Sequence, residues 1–210
     1  MSEGKPQAAV QIFFFDKWDT SGIEIRDIGL AKYISLDKKI IPHTFGRNSR
    51  KRFAKARISV VERLINKIMR SGQGKRKLSG KYIRGRGSTG KKLQAMEIVE
   101  KAFEKIEGET KQNPVQALIR AIENAAQRED ITRMKKGGIA YTVAVDVAPL
   151  KRLDEALKNI ALACFSGSFN NKKKAWQALA EEIILASKGD SKALSIKRRD
   201  ELERIAKSSR

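Results

Sequence analysis

From Lys38 to Met96 the chain carries 19 lysines and arginines and a single acid, Glu62. Side chains of one sign repel each other, so this tract cannot neutralise itself and must find its anions elsewhere in the chain or outside it. The rest of the chain holds 26 basic and 23 acidic residues, so nearly all of the net charge of +21 is regional. A regional excess of this size reads as the footprint of a polyanion, with folded nucleic acid the first candidate.

Two clusters supply most of that charge. The first holds Arg47, Arg50, Lys51, Arg52, Lys55 and Arg57, with Gly46, Asn48 and Ser49 among them. The second holds Lys75, Arg76, Lys77, Lys81, Arg84, Arg86, Lys91 and Lys92, punctuated by glycines from Gly72 to Gly90. Glycine- and serine-broken basic stretches form loops and cannot bury themselves. Lying against phosphates is the reading set against that of plain solvated loops.

The remaining sequence supplies a helical frame. Val61, Leu64, Ile65 and Ile68 line one face of a helix from about Lys55 to Arg70, and Ala95, Ile98, Val99, Ala102, Phe103 and Ile106 repeat the pattern. A third helix opens at Asn113-Pro114, an N-cap followed by proline at the first helical position. A fourth starts near Pro149 with Cys164 on its apolar stripe, a fifth presents Trp176, Leu179, Ile183 and Ile184, and a shorter sixth carries Leu202 and Ile205. Between helices three and four, Ile139 to Val147 alternates with period two, and Gly137-Gly138 suits a tight hairpin turn. The expected fold class is mainly α: a bundle of about six helices, a protruding two-stranded β-ribbon at about 131–147, and a basic N-terminal arm. Residues 1–52 read as an N-terminal extension and arm, residues 53–210 as the helical domain. Phe13, Phe14 and Phe15 are expected to pack on the bundle in preference to stacking on bases.

Several features exclude other classes. The 33% charged fraction and mean hydropathy of −0.48 argue against a membrane-embedded chain. One cysteine and one histidine, Cys164 and His43, make no metal-binding cluster or intrachain disulfide, so a reducing intracellular setting is expected. Gly85 to Gly90 spells G-x-G-x-x-G, and Gly85 to Lys91 spells G-x-x-x-x-G-K. A phosphate-binding P-loop, however, needs Ser or Thr where Lys92 stands, and it follows a buried strand. The carboxylate pairs Glu129-Asp130, Asp154-Glu155 and Glu181-Glu182 read as solvated faces and salt-bridge partners. No nucleophile elbow or base pair is organised for catalysis. The expectation is therefore no enzyme, no cofactor and no metal.

The run NPVQALIRAIENAAQREDITRMKKGGIAYTVAVDVAPLKRLDEALKNIA from Asn113 onward closely resembles the small-subunit ribosomal protein seven family, as does ARISVVERLINKIMRSG at residues 56–72. The closing ALAEEIILASKG and RRDELERIAKSSR resemble its archaeal branch. The resemblance implies a helical bundle with a protruding ribbon that binds the 3′ major domain of small-subunit rRNA and nucleates head assembly in the cytoplasmic ribosome. It implies that the ribbon lies near the exit-site tRNA and the mRNA exit channel, and that the protein meets small-subunit ribosomal protein eleven and other head proteins. Carried over by position, Gly137 and Gly138 form the ribbon turn, surrounded by Arg133, Lys135, Lys136 and Tyr141, and the two basic clusters lie on rRNA. Two rival classes are a nucleotide-dependent enzyme using Gly85 to Lys92 and a general nucleic-acid compaction protein.

Overall fold

The computed structural model describes residues 14–20, 22–37, 40–47, 51, 53–71, 77–78, 81–82 and 90–210. A one-turn helix α1 (Ile28–Ala31) and a 3-10 turn (Ala54–Arg57) precede six longer helices: α2 (Val60–Arg70), α3 (Lys92–Thr110), α4 (Pro114–Ala125), α5 (Pro149–Ser168), α6 (Ala175–Ser187) and α7 (Leu194–Ser208). Two short strands, β1 (Lys77–Leu78) and β2 (Lys81–Tyr82), pair between α2 and α3, and β3 (Glu129–Lys136) pairs with β4 (Ile139–Asp146) between α4 and α5. Counted by the longer helices, the ribbon lies between the third and the fourth, as the sequence predicts. The sixth helix is not short: α7 has 15 residues against 13 in α6.

Local chemistry sets the helix starts. The Asn113 side chain accepts from the Val115 amide at 3.0 Å while Pro114 fills the first position of α4, where a missing N–H costs nothing. α7 is capped from outside. The buried Glu182 carboxylate on α6 accepts from the Ser195 amide at 2.8 Å, the Leu194 amide at 3.2 Å and the Ser195 hydroxyl at 2.7 Å. The negative charge thus meets the positive end of a helix dipole. This corrects the expectation that Glu181-Glu182 is a solvated face. Glu181 does pair with Lys173 and Lys105 at the surface, but Glu182 turns inward.

The core gathers on α6, whose Ala178, Leu179, Ala180, Ile183, Ile184 and Ala186 are buried and which packs against α3, α4 and α5. α5 and α6 approach so closely that a Cβ on Gly167 would stand 3.1 Å from that of Ala178. Cys164 lies in this core, and burial pushes its thiol up to about 12, which keeps it a packing residue and not a nucleophile.

The segment from Phe14 to Asp37 is a strap that crosses four helices in turn. Phe14 and Trp18 are buried, and the Trp18 indole donates to Glu107 at 2.9 Å and meets the Phe103 ring edge-on at 5.5 Å on α3. Lys17 binds Glu100 and Glu104 on the same helix at 2.8 and 2.6 Å, and the Glu100 bond leads in raising its pKa. Further on, Arg26 and Asp27 donate backbone amides to Glu123 of α4 at 2.6 and 3.0 Å, and Asp27 pairs with Arg152 of α5 at 2.8 Å. The strap ends at α2, where Ser35 bridges Ser59 and accepts from the Val60 amide at 3.0 Å. Of the three phenylalanines expected on the bundle, Phe14 is fully buried and Phe15 packs against the core; Phe13 lies outside the described residues.

The ribbon leaves this body. Gly137 and Gly138 take φ of +59° and +81°, the pair of left-handed conformations that a two-residue hairpin turn requires. Lys136 stands opposite Ile139 and Glu129 opposite Asp146, an eight-rung ladder without a bulge. Thr132 to Lys135 on one strand and Ile139 to Val143 on the other are all exposed, so the hairpin does not lie flat on the bundle. Its base is held by α7 and the residues that follow it: the Arg128 amide donates to Glu203 of α7 at 2.9 Å, and Arg210, past the helix end, pairs with Glu129. Glu129 and Asp146 are like charges directly opposed on the ladder, and Arg210 offsets their repulsion.

Candidate nucleic-acid interface

The basic tract is mounted on α2. Six successive residues, Val60 to Ile65, are buried, among them Glu62 and Arg63. Glu62, the one acid of the tract, is 1% exposed, so the described surface of the tract shows no carboxylate at all. Its Oε1 accepts from the Thr44 amide at 2.8 Å, the Thr44 hydroxyl at 2.9 Å and the Lys92 ammonium at 2.8 Å. One buried oxygen therefore fixes the turn at residues 41–47 and the first turn of α3 onto α2. The described edges of the two basic clusters, the turn that carries Arg47 and the start of α3 at Lys91 and Lys92, thus meet at α2.

A second ionic group lies between α2 and α5. Asp154 of α5 pairs with Lys55, with Arg63 at 3.1 Å and with Lys67 at 3.5 Å. Burial pushes the Asp154 carboxyl up, but Lys55, Lys67 and Arg63 together hold it below the usual aspartate value. Burial holds both Arg63 and Lys67 below their ordinary values. Three cations share one carboxylate, which leaves the group itself with a surplus of positive charge.

The expected site residues divide accordingly. Lys51, Arg57 and Lys91 are exposed and meet no carboxylate among the described residues; Arg47 is exposed and lies over the Phe45 ring at 5.8 Å. Lys55 and Lys92 are already engaged, by Asp154 and Glu62. Lys77 and Lys81 enter as backbone, on the paired strands β1 and β2. Arg50, Arg52, Lys75, Arg76, Arg84 and Arg86 lie outside the described residues. Lys92, which stands where a P-loop would carry Ser or Thr, spends its charge on Glu62.

The expected ribbon-tip residues fall on opposite faces. Cross-strand partners share a face of an antiparallel pair. Arg133 opposes Thr142 and Lys135 opposes Ala140, which makes one face polar and basic. Tyr141 opposes Met134, and with Ile139, Val143 and Val145 they make the other face an exposed apolar stripe. Lys136 pairs in backbone with Ile139. Among the described residues no group of three or more His, Cys, Asp or Glu could hold a metal, and no helix is long and apolar enough to cross a membrane.

Sequence reasoning missed the Glu62 and Asp154 groups. Arg63 and Asp154 lie 91 residues apart, and nothing local joins them. The available signal was Glu62 itself, a lone acid inside the apolar run of an otherwise basic segment.

The sequence pattern of the family described as Ribosomal protein S7p/S5e matches residues 30–210. The chain belongs to that family. A relative named small ribosomal subunit protein uS7, from Methanosphaera stadtmanae, is 46% identical over 194 residues, covering 92% of this chain and 96% of its own length. Another of the same name, from Methanothermobacter thermautotrophicus, is 45% identical over 194 residues, covering 92% and 97%. The archaeal branch expected from the C-terminal motifs is the one these two relatives come from. Membership in the S7p/S5e family, a structural and non-enzymatic class, sets aside the nucleotide-dependent enzyme that the glycine-rich letters alone suggest.

Proposed function

We propose that this chain is a structural constituent of the small ribosomal subunit that binds the 3′ major domain of small-subunit rRNA and nucleates folding of the subunit head. The observation that carries the reading is the burial of Glu62. With its only acid turned inward, the tract from Lys38 to Met96 has no carboxylate to offer a partner, and Glu62 ties its described parts, the Thr44 turn and Lys92, to α2. Folded RNA offers phosphates, 2′-hydroxyls and shape, and a rigid array of cations reads geometry better than base identity. Arg47, Arg50, Lys51, Arg52, Arg57 and Lys91, with the loop from Lys75 to Arg86, are the proposed phosphate contacts. Lys55 and Lys92 serve chiefly to hold the array.

The two faces of the ribbon suit two kinds of neighbour in a cytoplasmic ribosome. Arg133 and Lys135 suit nucleic acid, the exit-site tRNA or the mRNA leaving its channel. The stripe from Ile139 to Val145 with Tyr141 and Met134 suits a protein, for which small-subunit ribosomal protein eleven on the platform side is our candidate.

The test is affinity for a transcript of the 3′ major domain against salt. With about eight phosphates neutralised, the log–log slope is expected near −6 to −7. Replacing Arg50, Lys51 and Arg52 together by Ala is expected to make it shallower by about 2 to 3 with helix content unchanged. A slope near zero, or equal affinity for duplex DNA, refutes the reading, the latter in favour of general compaction.

A further inference from the structure

The turn ahead of α2 carries a feature that phosphate binding does not use. Phe45 is 73% exposed, in the middle of the most basic part of the chain. It is not a stray side chain. Its ring stacks on His43 with centroids 4.1 Å apart and planes 27° from parallel, and the Arg47 guanidinium lies over it at 5.8 Å. The Phe45 amide donates to His43 Nδ1 at 2.8 Å, so the backbone that positions one ring is bonded to the other. The Arg47 amide closes the turn on the Thr44 carbonyl at 3.1 Å. Between the two rings, Thr44 is bonded twice to the buried Glu62. Phe45 itself takes φ +52°, a left-handed conformation that a bulky residue avoids unless its surroundings impose it.

We infer that His43, Phe45 and Arg47 form a stacking subsite for one unpaired base of the bound RNA. An exposed aromatic ring flanked by a second ring and a guanidinium offers what an unstacked base requires: a flat apolar surface, with cations beside it for the adjoining phosphates. Charge complementarity selects RNA over an apolar protein as the occupant, since Lys51 and Lys91 are exposed and no carboxylate of the tract reaches the surface. Glu62 is a positioning residue here. By holding Thr44 it presents the ring ready-made, so little ordering is left for binding to impose. The inference rests on the rRNA-binding reading above and adds to it a contact to a base in place of a phosphate.

Phe45→Leu keeps apolar bulk and removes the π-face; Phe45→Trp enlarges that face. Both are studied as the full chain with a transcript of the 3′ major domain, with circular dichroism confirming helix content. Phe45→Leu is expected to bind roughly 5- to 100-fold more weakly. Its salt slope should equal that of the unaltered chain, because no phosphate contact is lost. Phe45→Trp is expected to bind at least as well as the unaltered chain, with tryptophan emission quenched saturably by the transcript beyond the change in the unaltered chain. Leucine binding within twofold, or absence of that added quenching, overturns the subsite while the rRNA reading stands. A leucine variant that binds RNA normally but fails to enter subunits shows a protein contact and overturns it equally. If the unaltered chain shows no salt-dependent binding, the reading beneath fails and takes the subsite with it.

Discussion

At the scale of single residues, the ionic groups that matter are those that stop a basic surface from flying apart. Asp154 is one carboxylate against three cations, and Arg63 among them is 2% exposed. Asp154→Ala leaves that guanidinium buried without its anion and is expected to destabilise the fold by about 3 kcal/mol in denaturant titration. An unchanged midpoint shows the group to be ornamental. Acid should act through the same residue and two others. Burial raises Asp27, Asp130 and Asp154, yet Arg152, Lys151 and the Lys55–Lys67–Arg63 group outweigh it and lower all three. The unfolded chain then takes up these protons first, near pH 4, while the folded one still holds its carboxylates ionised. Their contribution is complete above that pH and disappears as pH falls through the lower folded values. Thermal melts between pH 5 and pH 2 should show the loss, and asparagine at all three positions should flatten it. None of this is legible in a sequence, since each pair closes over 21 to 125 residues.

Elements were far more legible. The six long helices follow from apolar spacing, the start of α4 from Asn113-Pro114, and the ribbon from its alternation and its paired glycines. What alternation could not tell is that neither face of the ribbon is covered along its outer half, because period two marks a pleat and not its burial. The exposure has a consequence for stability. Removing residues 135–139 and closing the chain is expected to leave the melting temperature within about 2 °C, since only the base of the hairpin touches α7 and surface changes away from the core cost little. A shift of 8 °C or more would mean that the tip is structural.

For the molecule as a whole, charge was the most legible property and its mounting the least. The sequence locates the surplus between Lys38 and Met96; only the fold shows that its single acid is spent internally, on Thr44 and Lys92. The strap likewise has no periodic signal, because its contacts are spread over four helices in turn. That arrangement predicts an order of events. Trp18 reaches Glu107 and Asp27 reaches Arg152, across 89 and 125 residues, and loops of that length are costly to close early, so the strap is expected to dock after the helices it crosses. Contacts completed after the folding barrier stabilise the native state against leaving it without hastening its arrival. Trp18→Ala, which empties a buried aromatic site and costs about 3–5 kcal/mol, should therefore accelerate unfolding by most of that amount and leave the refolding rate nearly untouched. Such an outcome would make the strap a latch, governing how long the folded chain lasts while the helices govern how quickly it forms.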